Sequence, residues 1–106
     1  MKEFEIVAAG GAVYDHIGVA DFQVDTWCAV FGVESADLLF DHTPGTVAVP
    51  IIDAAIQRIL SGDPAIHASV HPNDRTGLRG KRTALENMRR TLVNFHDATI
   101  SGIVED

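Results

Sequence analysis

Cysteine is almost missing from this chain. Cys28 stands alone among 106 residues, which excludes an internal disulfide and any Cys-x-x-Cys metal pair. The scarcity fits a reducing, cytoplasmic (intracellular) setting. Aromatic residues are few: one Trp, one Tyr and five Phe. The core must therefore lean on Val, Ile, Leu and Ala. No apolar run approaches the roughly 18 residues needed to cross a bilayer. Lys2 and Glu3 follow Met1 without an apolar stretch behind them, so neither a signal peptide nor a membrane partner is expected. Positive charge is also short, with 8 basic residues against 15 acidic ones and a formal charge of −7.

What basic charge there is lies mostly in one place. Residues 75–90 hold Arg75, Arg79, Lys81, Arg82, Arg89 and Arg90 against the single acid Glu86, a local charge of +5. Residues 1–41 set Lys2 against Glu3, Glu5, Asp15, Asp21, Asp25, Glu34, Asp37 and Asp41, a local charge of −7. Such asymmetry fits a surface for a polyanion. It fits equally a subunit whose basic part meets the acidic part of a neighbour. A hydrophobic content of 46% with 22% charged residues belongs to a soluble globular protein, and the length suits one domain with a modest core.

The periodicity predicts a mainly α domain of four to five helices, with short strands allowed at the two termini. Residues 3–8 read as strand or helix, and Gly10 and Gly11 break them. A brief helical turn is expected over 13–17. Asp21 is a good N-cap for a helix reaching Phe31, with Phe22, Trp27, Val30 and Phe31 on its apolar face. Gly32 closes it, because glycine enters the left-handed conformation at low cost. Residues 34–41 read as a second short helix with Leu38 and Leu39 buried, followed by a turn at 42–45. Thr46 opens a third helix, with Pro50 near its first turn and Ile51, Ile52, Ala55, Ile56, Ile59 and Leu60 on a wide apolar face. Residues 62–82 are irregular, with a basic loop at 72–82. Thr83 and Glu86 form a capping-box pattern for a last helix carrying Leu85, Met88, Leu92 and Phe95. The tail, residues 98–104, is a candidate strand against residues 3–8.

Within residues 21–39 lies a helix–glycine turn–helix pattern. Trp27 is an apolar anchor and Cys28 a small residue at the crossing. Phe31, Gly32 and Val33 make the turn, Glu34 or Ser35 the cap, and Leu38 the lock. The stretch resembles the helix-turn-helix domains of phage small terminase subunits and many bacterial regulators. The resemblance implies an N-terminal helix-turn-helix half over 1–45, a helical half over 46–106, assembly into rings and a DNA-packaging role. The presumed reading helix departs from that pattern. It carries Glu34, Asp37 and Asp41 and no base, which would oppose entry into a groove lined by phosphates.

The basic run offers an anion site by composition. Loop N–H groups and a helix N-terminus at Thr83 both favour negative charge. It is not a phosphate-binding P-loop, since two residues rather than four separate Gly77 from Gly80 and Arg82 stands between Lys81 and Thr83. No aromatics interleave with the bases, so single-strand stacking is not expected. His67 and His71 have i, i+4 spacing, with His96 downstream, a weak zinc pattern interrupted by Pro64 and Pro72. No GxSxG elbow is present, and the sequence names no reaction and implies no cofactor. Three readings therefore stand. The first is a nucleic-acid-associated, packaging-type oligomer contacting phosphates through Arg75, Arg79, Lys81, Arg82, Arg89 and Arg90. The second is a structural or adaptor subunit, with a protein partner or its own copies and no nucleic acid. The third is a small enzyme or metal-binding domain.

Overall fold

The computed structural model describes residues 2–35 and 39–105, with the backbone alone for Val104 and Glu105. Four strands form one antiparallel sheet: β1 (Lys2–Val7), β2 (Val13–Val19), β3 (Phe40–Pro44) and β4 (Thr99–Glu105). The strand order is β2-β1-β4-β3. Four helices accompany it: α1 (Val24–Phe31), α2 (Gly45–Leu60), α3 (Pro64–Ala68) and α4 (Gly77–Asn94). The fold is α+β, which corrects the mainly α expectation.

The sheet follows from a period of two. In β1, Phe4 and Ile6 are buried while Glu3 and Glu5 alternate with them. Ile17 pairs with Phe4 across β2, and Ile100 pairs with Ile6 across β4, so one face becomes apolar. The other face is polar. Glu5 lies between His16 and Ser101, and the His16 imidazole is 3.5 Å from Glu3. Residues 13–17, expected as a helical turn, lie in the β2 arm of a hairpin whose loop is closed by Ala8 and Ala12. The tail expected as a strand over 98–104 is β4, Thr99–Glu105, which pairs with β1 at the centre of the sheet.

Helices cover the apolar face. Trp27, Val30 and Phe31 of α1, Ala48, Ile52 and Ala55 of α2, and Leu85, Met88 and Leu92 of α4 meet Phe4, Ile6, Phe40 and Ile100 in one core. The Phe4 ring is its hub, with Trp27 edge-on at 5.0 Å and Phe31 at 6.0 Å between centroids.

The helix-turn-helix half is also corrected. Asp21–Gln23 is a 3-10 turn, and α1 begins only at Val24. Gly32 ends α1 in the left-handed conformation, with φ 69°, as its position predicts. The second helix expected over 34–41 gives way to strand: Phe40 and Asp41 belong to β3, and Glu34, Ser35 and Leu39 are not helical. Ala36, Asp37 and the expected lock Leu38 lie outside the described residues. Pairing with β4 gives Phe40, Thr43 and Pro44 partners in the sheet.

Candidate interaction surface

The basic loop expected at 72–82 is a loop only over 72–76, where Arg75 lies. Residues Gly77 to Arg82 form the first turns of α4, so the helix starts six residues before Thr83. Asp74 is the reason. One of its carboxylate oxygens accepts from the Gly77 N–H and the Thr76 hydroxyl, each at 3.1 Å, and from the Gln23 amide at 3.4 Å. It thereby satisfies a helix donor that has no partner within the helix. The expected capping box does other work. Thr83 donates to the Arg79 carbonyl at 3.1 Å, and Glu86 pairs with Arg82.

The other Asp74 oxygen receives the Lys81 ammonium. Lys81 is 3% exposed and its nitrogen lies 5.8 Å from the Trp27 ring centroid. Burial pushes the Asp74 carboxyl up, but Lys81, the Gly77 N–H and the Thr76 hydroxyl outweigh it, and the group ends below its ordinary range. Gly80 permits this packing, because a Cβ there would lie 2.5 Å from the Thr76 side chain. Asp74 therefore binds the 3-10 turn, the 69–76 segment and α4 into one unit.

The six basic residues are thus sorted into three kinds. Lys81 is buried and cannot reach a phosphate, which corrects its assignment as an anion contact. Arg82 bonds Glu86 at 2.9 Å and Arg89 bonds Asp53 of α2 at 2.7 Å, both pairs half exposed. Arg75, Arg79 and Arg90 are exposed, with no carboxylate at ion-pair distance among the described residues. Arg79, Arg82, Glu86, Arg90 and Val93 follow one another at intervals of three or four. They therefore share one side of α4, opposite Lys81, Leu85, Met88 and Leu92.

A groove of about 540 Å3 opens at the C-terminal end of α4. Pro44, Val49, Pro50, Leu92, Val93 and His96 line it, and the lining is mainly apolar. It runs between α2 and α4, which are antiparallel, since Asp53 meets Arg89 and Gly45 meets Leu92. Beside it, Tyr14 stacks on Phe95 at 4.1 Å, and its hydroxyl donates to Asp97 at 2.9 Å. The same carboxylate accepts the Ala9 N–H, so Asp97 pins the hairpin loop to the end of α4. That hydrogen bond to Asp97 raises the Tyr14 pKa, and the Ala9 and Tyr14 donors lower that of Asp97.

The histidine pattern does not converge. His67 lies in the last turn of α3, whereas His71 accepts the Asn73 N–H through Nδ1 and packs on Phe22. Among the described residues no three His, Cys, Asp or Glu side chains cluster for a metal. No described helix is long and apolar enough to cross a membrane. Asp74 and Trp27 are the site residues that charge counting passes over, though an Asp two residues before Thr76-Gly77 is itself a cap signal. Comparison with known proteins returned no matching family model, no curated relative and no matching solved structure.

Proposed function

We propose that this chain is an assembly subunit, joined to its own copies through the outer side of α4 and the groove beside it. The observation that carries this reading is the junction of two features on one helix. Arg79 and Arg90, with no ion-pair carboxylate among the described residues, stand on the helix whose end forms the apolar groove, and Arg75 lies just before that helix. Phosphates need no apolar groove, whereas protein interfaces combine a desolvated apolar centre with arginine and a polar rim. The acids complete the argument. Asp21, Asp25, Glu34 and Asp41 are all exposed, so a second copy supplies the opposite charge. Complementary charge of this kind steers encounter and fixes orientation more than it adds affinity.

Light scattering across a concentration range tests it, at low and moderate salt, with and without a short DNA duplex. Mass that rises with concentration and ignores DNA is the expected result. A protein that stays monomeric throughout would overturn the reading.

The second reading is contact with nucleic acid. It is favoured by the spread of Arg79, Arg82 and Arg90 along about 16 Å of one helix side. A salt-sensitive shift in mass with DNA is its signature. With about three phosphates engaged, the slope of log K against log salt would be about −3.

A further inference from the structure

We propose that this assembly runs head to tail, with Phe22 of one copy seated in the α2–α4 groove of the next. The proposal rests on the assembly reading and names its contact. Phe22 is 39% exposed although it is a large aromatic. The exposed carboxylates Asp21 and Asp25 flank it in sequence. The turn that presents it is already fixed. The Gln23 side chain accepts the Ala20 N–H at 3.0 Å and reaches Asp74, and the Phe22 ring packs on His71. A pre-ordered aromatic loses little freedom on docking, and such residues anchor interfaces when they enter an apolar pocket.

The groove supplies the matching chemistry. Val49, Leu92 and Val93 are its apolar walls, His96 sits at one end, and Arg89 and Arg90 occupy the preceding turn of α4. Phe22, with carboxylates on either side in sequence, therefore meets an apolar groove beside Arg90, which has no ion-pair partner among the described residues. The exposed aromatics Tyr14 and Phe95 are already engaged. Their rings stack on each other at 4.1 Å.

Knob and groove cannot meet within one chain. Phe22 packs beside the segment that leads into α4, and the groove is at that helix's far end, about 27 Å away along its 18 residues. Two different patches make a heterologous contact, which repeats into a ring or an open chain. Each edge strand of the sheet has a backbone donor already engaged. On edge strand β2 the His16 N–H is held by the Asp15 carboxylate at 2.8 Å, and on β3 the Asp41 N–H by Thr43 at 3.2 Å.

Two surface variants provide the test. Phe22→Ser removes the knob and keeps the groove; Val93→Asp spoils the groove and keeps the knob. Circular dichroism and Trp27 fluorescence check that each folds. Light scattering or sedimentation should show each variant associating at least about tenfold more weakly than the wild type. An equal mixture should form one-to-one pairs and nothing larger, because only one sound knob faces one sound groove. If the wild type assembles and both variants assemble equally well, the proposal fails while the assembly reading stands. If each variant is monomeric and the mixture is too, the contact is not head to tail between these patches. A monomeric wild type overturns both.

Discussion

Replacing Asp74 by alanine removes the partner of a buried ammonium. The two side chains are 1% and 3% exposed, so water cannot take over the lost contact. The change also strips an acceptor from the Gly77 N–H, the Thr76 hydroxyl and the Gln23 amide. Breaking a buried pair on one side costs about 3–5 kcal/mol, a large share of the 5–15 kcal/mol typical of a whole domain. The expected fall in Tm is more than about 10 °C. Lys81→Met should be milder, about 1–3 kcal/mol, because the carboxylate keeps three donors. The double variant should be no worse than Asp74→Ala alone, since the stranded ammonium has gone.

Urea unfolding followed by fluorescence is the assay, and Trp27, the only tryptophan, lies in the reporting position beneath Lys81. The sign of the pH dependence follows from the lowered Asp74 pKa. Its stabilisation is present above the unfolded value of about 3.9 and is lost as pH falls through the lower folded value. The gap between wild type and Asp74→Asn should therefore narrow below about pH 4. Additive losses in the double variant, or an Asp74→Ala cost below about 1 kcal/mol, would refute the buried-pair reasoning.

Four further outcomes follow from particular residues. Tyr14 is the only tyrosine, so ultraviolet absorbance titrates it alone; its midpoint should lie above the ordinary value of about 10 and fall back in Asp97→Asn. The stabilisation from that contact is whole below the unfolded Tyr14 value and is lost as pH rises through the raised folded one. Gly80→Ala, which in an exposed helix interior would stabilise by about 1 kcal/mol, should instead destabilise, because the new Cβ displaces Thr76 from Asp74; thermal melts decide it. Replacing Arg75, Arg79 and Arg90 together by Ala should leave the urea midpoint within about 0.5 kcal/mol of wild type while weakening assembly, whereas Arg89→Ala should lower stability by about 0.2–1 kcal/mol through the loss of Asp53.

The sequence shows its helices more clearly than its strands, for a physical reason. The core stripe of α4 recurs at 81, 85, 88 and 92, and that of α2 at 48, 52 and 55, so two long amphipathic helices can be read from period alone. In β1, Glu3 and Glu5 alternate with Phe4 and Ile6, but over six residues this competes with a helical reading. In β2, only Val19 is fully buried and Asp15 stands on the core side, so the alternation is nearly erased. Residues 40–44 present Asp, His and Pro, which propensity assigns to a turn; β4 recruits them into the sheet through contacts sixty residues distant in the chain. The basic cluster was legible as composition. Its division was not, because Lys81 differs from Arg79 and Arg82 only by where a 3.6-residue repeat points it.

That division changes what the charge can do. Asp74 cancels Lys81, Glu86 cancels Arg82 and Asp53 cancels Arg89, so a local excess of five shrinks to Arg75, Arg79 and Arg90, the three without an ion-pair partner among the described residues. Three exposed cations on a chain of charge −7 attract a polyanion weakly, and that attraction fades over a Debye length of about 8 Å at physiological salt. Burying Phe22 against Val49, Leu92 and Val93 is not screened in this way. Salt therefore separates the two forces. A complex that vanishes as salt rises is held by the arginines alone. One that merely forms more slowly, yet keeps its slow dissociation, is held by the groove and only steered by the charge.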